Sequence, residues 1–122
     1  MLEITLRFLF YSLFNILFSL FFKKEKKESI ISKQILRSGT SIGANANEAV
    51  YGVSKAEFIS KLQISLKETA ETEYWLRLLL LTEYITEQEA LSLLEDCLEL
   101  KRLLVSTLNT SKANADNHKQ SN

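Results

Sequence analysis

Glu68, Glu71 and Glu73 stand close together with Thr69 and Thr72, just ahead of Tyr74 and Trp75, in a segment of helical periodicity. Carboxylates at this spacing can act as general acid and base, or can hold a pair of metal ions when Glu-x-x-His motifs accompany them. The sole histidine, His118, sits instead in a polar C-terminal stretch. What remains for the three glutamates is ordinary surface charge or pairing with Arg37 and the lysines. A contact from Arg37 to Glu71 or Glu73 is the specific expectation. No catalytic set, metal site or cofactor follows from these residues, and the chain reads as non-enzymatic.

A second group lies in the stretch RSGTSIGANANEA at residues 37–49. Arg37, Ser41, Asn45 and Glu48 are spaced four, four and three apart, which places them on one side of a helix. Gly39 and Gly43 add a small-xxx-small spacing that lets backbones approach closely. Each glycine costs a soluble helix about 0.5–1 kcal/mol relative to alanine, so two within one turn indicate a packing demand. Gly39, Gly43 and Gly52 make neither GxGxxG nor a P-loop. The polar stripe is therefore expected to fix how this helix docks on the acidic third helix or on another subunit. Cys97, the only cysteine, excludes an internal disulfide and cannot by itself make a zinc site. Between Leu94 and Leu98 it reads as a small core residue in a reducing cytoplasm.

These residues need a scaffold, and composition indicates which kind. The 122 residues are 46% hydrophobic and 25% charged, enough for one domain with a core. Proline is absent and there are three glycines, which removes the turn punctuation of all-β folds. The formal net charge is zero, but residues 1–67 hold ten Lys and Arg against five Asp and Glu, and residues 68–122 hold the reverse. Such complementary halves can attract one another within a bundle, can join neighbouring subunits, or can offer a basic face to a polyanion. Lys23, Lys24, Lys26, Lys27, Lys33, Lys55 and Lys61 are the nucleic-acid contacts this last reading implies, with salt-dependent phosphate binding. Neither an RNP motif nor a zinc knuckle accompanies them.

Along the chain, residues 4–22 are the most apolar and form an expected first helix. Three readings fit it. It can be a bundle helix covered on both sides by its own bundle and another subunit. It can be a membrane anchor ~28 Å long at ~1.5 Å per residue, flanked by the lysines. It can also be the product of an altered reading frame upstream of Lys23. A charged connection over residues 23–28 leads to a second helix over about 29–49, with Ile31, Ile35 and Ile42 inward and Gly52 ending it. Ser54 and Glu57 form a capping box that opens a third helix to about Leu81, burying Phe58, Leu62, Leu66, Leu76, Leu79 and Leu80. After a turn at residues 82–85, Thr86 and Glu89 form a second capping box. The fourth helix runs through about Leu108 with Leu91, Leu94, Leu98, Leu104 and Val105 as its apolar face. Residues 109–122 carry no large apolar side chain and are expected to be a disordered tail. The predicted fold is all-α, an antiparallel up-down-up-down four-helix bundle over residues 1–108.

Three stretches, SKQILRSGTSIGANANEA at 32–49, SKAEFISKLQISLKETAETEYWLRLL at 54–79 and LLEDCLEL at 93–100, resemble in order and spacing a family of four-helix-bundle proteins encoded in intervening sequences of bacterial 23S rRNA genes. The resemblance covers roughly residues 25–108 and implies a small bundle that assembles into a ring-like homopentamer. A related accessory protein of diversity-generating retroelements binds a reverse transcriptase and nucleic acid. By resemblance the role is assembly or binding, with RNA or a nucleic-acid-associated protein as partner, and Arg37, Ser41, Asn45, Glu48 and Glu73 carry the polar signature. The nearly unbroken apolar run before Lys23 departs from the family's amphipathic first helix.

Overall fold

A computed structural model describes residues 30–83 and 85–120, in which three α-helices follow one another: α1 (Ile30–Val50), α2 (Lys55–Leu81) and α3 (Glu87–Gln120). They are the second, third and fourth helices expected from the sequence, and no strand occurs among the described residues. The expected first helix over residues 4–22, with its bundle, membrane and reading-frame alternatives, lies outside the described residues. So do Lys23, Lys24, Lys26 and Lys27. Among the described residues, no helix is long and apolar enough to cross a membrane.

The helix boundaries follow local chemistry. The Ser54 hydroxyl accepts from the Glu57 backbone N–H at 3.1 Å, while the Glu57 carboxylate accepts from the Val53 N–H at 3.2 Å. Two amide donors at the start of α2 are thereby satisfied, although the Glu57 carboxylate reaches one residue past the N-cap that a capping box would use. The Thr86 hydroxyl caps α3, accepting from the Glu89 N–H at 3.1 Å. Gly52 serves the first connection through close approach: its N–H donates to Ala49 O, and a Cβ at this position would lie 3.1 Å from that oxygen. The second connection has no glycine. Thr82 is the C-cap of α2, and Glu83 follows it at φ 62°, in the left-handed region.

One correction concerns the C-terminal stretch. The fourth expected helix does not stop at Leu108, and residues 109–120 continue α3 rather than forming a disordered tail. No glycine or proline interrupts this stretch, and Ser111 is buried while Ala115 is half-buried. A few inward contacts are sufficient to extend a helix already nucleated.

Two apolar clusters hold the helices together. One joins Ile35 and Ile42 of α1, Leu76 and Leu79 of α2, and Leu93, Cys97 and Leu100 of α3. The other joins Ala46 and Ala49, Leu62, and Leu104 and Leu108. As numbering rises along α1 and α3 from one cluster to the other, it falls along α2, so α2 runs opposite to both. Phe58, Leu66 and Leu80 are only partly buried, packed at the cluster edges. The larger departure is on α3. Its inward face is Ala90, Leu93, Leu94, Cys97, Leu100, Leu104 and Leu108, whereas Leu91, Leu98 and Val105 are exposed. Leucines occupy more than one face of this helix, and periodicity alone did not separate the faces.

Candidate functional site

Of the residues singled out by type and spacing, Arg37, Glu48, Lys61, Glu68 and Glu71 meet along the seam between α1 and α2. At one end, Arg37 lies across two glutamates of α2. Its Nη2 donates to Glu71 Oε2 at 2.5 Å and its Nη1 to Glu68 Oε2 at 3.3 Å, while its Nε donates to Gln34 Oε1 at 3.3 Å. The second oxygen of Glu71 accepts from the Trp75 indole N–H at 3.2 Å, and Trp75 meets Tyr74 edge to face at 5.1 Å between centroids. Glu71 is thus held from both sides.

The two carboxylates respond differently to this arrangement. The hydrogen bond from Arg37 holds Glu71 below the ordinary glutamate range. Glu68 is pushed up, first by burial and then by its proximity to Glu71. The Glu71 hydrogen bond in turn raises the guanidinium of Arg37. A carboxyl pair split in this way has the electrostatic form of a general acid and base. Here, though, Arg37 bridges the pair and Trp75 takes the remaining Glu71 oxygen, so the groups tie α1 to α2.

In the middle of the seam the ties are buried hydroxyls. Ser38 Oγ and Thr72 Oγ1 share a hydrogen bond at 2.7 Å, and Ser65 Oγ donates to the carbonyl of Ile42 at 2.8 Å. Side chains this short can bridge two helices only where the backbones are close. Gly39 is buried in the same stretch and Gly43 is half-buried. At the far end, Lys61 Nζ reaches Glu48 Oε2 at 2.6 Å, a bond that raises the lysine. Ser41 and Asn45 do not join this cross-helix set. The Asn45 amide donates to Ser41 O and Oγ at 2.9 and 3.0 Å, within α1.

Glu73 faces the opposite neighbour. It pairs with Arg77 on its own helix at 2.9 Å and with Lys101 of α3 at 3.7 Å, so of the two expected partners Arg37 takes Glu71. Ser38, Ser65 and Lys101 are participants that the sequence reading did not single out, and Thr72 and Trp75 entered it only as neighbours of the glutamates. Ser65, Thr69 and Thr72 stand at i, i+4 and i+7, a small-residue row of which Ser65 meets Ile42 and Thr72 meets Ser38 of α1, and that spacing was the available signal. Of the basic residues within the described range, Lys33 and Lys55 are exposed near the starts of α1 and α2, at opposite ends of the pair, and Lys61 is engaged by Glu48. They do not form one patch. No group of three or more His, Cys, Asp and Glu side chains among the described residues is placed to hold a metal ion.

Comparison with known proteins adds to this geometry. The model of the 23S rRNA-intervening sequence protein family matches residues 12–106. Among solved structures, a protein of unknown function from the S23 ribosomal protein family of Bacteroides thetaiotaomicron superposes with a TM-score of 0.82 at 46% sequence identity, over 88% of this chain and 97% of that one. No curated protein matches the chain.

Proposed function

Because the chain belongs to the 23S rRNA-intervening sequence protein family, we propose that it is a non-enzymatic assembly and interaction protein of the bacterial cytoplasm. Copies associate into a homo-oligomer, a pentamer by family resemblance, and RNA or a nucleic-acid-associated protein is the partner. The observation that carries the reading is the use made of the polar residues at the α1–α2 seam. Arg37, Glu71, Glu48 and Lys61, with the buried Ser38, Thr72 and Ser65, join helix to helix rather than converging on a cavity.

Support for the nucleic-acid partner is the basic excess of residues 1–67. Binding of this kind would be mostly to phosphates and would weaken steeply with salt. Light scattering on detergent-free protein measures the assembly, and a discrete pentamer is the expected mass. A gel-shift titration with structured RNA at low salt tests the partner. RNA left unmoved by saturating protein removes it, and a particle that needs detergent to stay dispersed favours the membrane anchor over residues 4–22.

A further inference from the structure

α2 carries equal numbers of acidic and basic side chains, yet the two kinds occupy different sides of it. Glu57, Glu68, Glu71 and Glu73 are all half-buried, at the cap or at the seams with α1 and α3, whereas Lys55, Lys67 and Arg77 are exposed. Every exposed charge on α2 is therefore basic. Lys67, Tyr74 and Arg77 stand seven and three residues apart, which places them on one side of the helix over about 15 Å at ~1.5 Å per residue. Gln63 and Ala70 share that side, so no acid interrupts it. Lys101 of α3 joins it at the edge. Glu73 accepts from Arg77 at 2.9 Å through one oxygen and faces Lys101 at 3.7 Å through the other, so two cations share one anion and leave a net positive charge at the surface. Tyr74 is 59% exposed, and its ring is braced edge to face on Trp75, which Glu71 anchors in turn.

We propose that this side of α2 binds an unpaired nucleic-acid strand, with Lys67, Arg77 and Lys101 on its phosphates and Tyr74 stacked on one base. Cations alone would suit any polyanion. The exposed aromatic ring between them, held in place by its neighbour, adds the flat apolar surface on which a base stacks and for which an acidic peptide has no counterpart. A duplex keeps its bases paired inside and offers Tyr74 no free face, so the strand is a single-stranded loop or end. Arg77 can turn part of its guanidinium outward, because Glu73 engages only one of its terminal nitrogens.

The site rests on the nucleic-acid reading above and gives it a location, which Lys33, Lys55 and Lys61 do not, since they form no common patch. The test is fluorescence anisotropy with a short labelled oligouridine across a salt series, using the full chain. Lys67→Gln, Arg77→Gln and Lys101→Gln are each expected to weaken binding and to lower the slope of log affinity against log salt by about 0.7, the value of one phosphate contact on a single strand. Lys67→Gln is the decisive variant of the three, because Arg77 and Lys101 also pair with Glu73. Tyr74→Leu is expected to weaken binding about tenfold with that slope unchanged, and Tyr74→Phe to bind as wild type does. Tyr74→Leu binding as tightly as wild type overturns the proposal. Polyglutamate competing at equal charge as well as unlabelled oligouridine also overturns it, in favour of an acidic protein partner. Oligouridine left unbound at low salt by a protein that shifts structured RNA overturns this site alone, whereas failure to bind either RNA overturns the nucleic-acid partner as well.

Discussion

The hydroxyl of Ser65 on α2 donates to the backbone carbonyl of Ile42 on α1 at 2.8 Å, with both residues buried. A serine side chain can reach the neighbouring backbone only where the two helices nearly touch, and that closeness accounts for the short side chains of Ser38, Ser65 and Thr72 at the seam.

Substitutions at Ser65 should therefore be graded by size. Ser65→Ala removes one buried hydrogen bond, a loss of about 1 kcal/mol. Ser65→Leu must also force the helices apart, and overpacking of this kind costs about 1–3 kcal/mol. Urea unfolding should order the proteins wild type, Ala, Leu by decreasing midpoint. A leucine variant as stable as wild type would show that the backbones are not in close contact here.

Glu71 and Glu68 should differ in the pH dependence they confer, although they share Arg37. Glu71 has its folded pKa depressed, so its contribution is present above the unfolded value of about 4.3 and is lost as pH falls through the folded one. Glu68 is raised, so its ionisation opposes folding as pH climbs from the unfolded value to the folded one. At pH 7 Glu71→Gln is expected to be the less stable variant, and its deficit should close on acidification. Glu68→Gln should show no such acid-dependent deficit. In double-mutant cycles Arg37→Ala should couple to Glu71→Ala and should add independently to Glu73→Ala. Additivity at Glu71 would mean that Arg37 does not meet it in solution.

Cys97 should behave as a protected thiol. Burial, with the charges of Glu73 and Asp96 nearby, pushes it up to about 12. A raised folded pKa means stability that is intact below the unfolded thiol value of ~8.5 and is lost as pH rises toward the folded one. Between those limits, Cys97→Ala should lose stability with pH more gradually than wild type. Labelling by a thiol reagent at pH 8 should follow unfolding, and immediate labelling of the native protein would contradict the burial.

The helices themselves were readable because their signals are local. Ser54 with Glu57 and Thr86 with Glu89 announce helix starts within four residues, and both caps form. Arg37 could be assigned to the acidic stretch of α2, as a partner of Glu71 or Glu73, because the two segments carry opposite charge within neighbouring helices. What sequence did not resolve was geometry between helices. Glu71 and Glu73 are two residues apart, hence on different sides of α2, and only the docking angle decides which faces Arg37. The leucines of α3 posed the same problem, since Leu91, Leu98 and Val105 repeat as regularly as the residues that are buried. The extension of α3 past Leu108 depends on Ser111 and Ala115 finding cover, which no local motif encodes.

The second connection offers a stabilising change. Glu83 follows the C-cap Thr82 at φ 62°, and its N–H donates to Leu80 O at 3.1 Å, one of the two bonds by which helices commonly close. Glycine usually occupies this position, because any Cβ there crowds the adjoining backbone at a cost of roughly 1–2 kcal/mol. Glu83→Gly removes that crowding but enlarges the freedom of the unfolded chain, which returns about 0.4–1 kcal/mol of the gain. The expected net effect is a small rise in stability, up to about 1 kcal/mol, with the slope of the denaturation curve unchanged. Glu83→Ala separates backbone from charge, since it keeps the Cβ and removes the carboxylate. It should leave stability near wild type. If Glu83→Ala stabilises as much as Glu83→Gly, the benefit comes from relieving negative charge at the C-terminal end of α2 and not from the left-handed backbone.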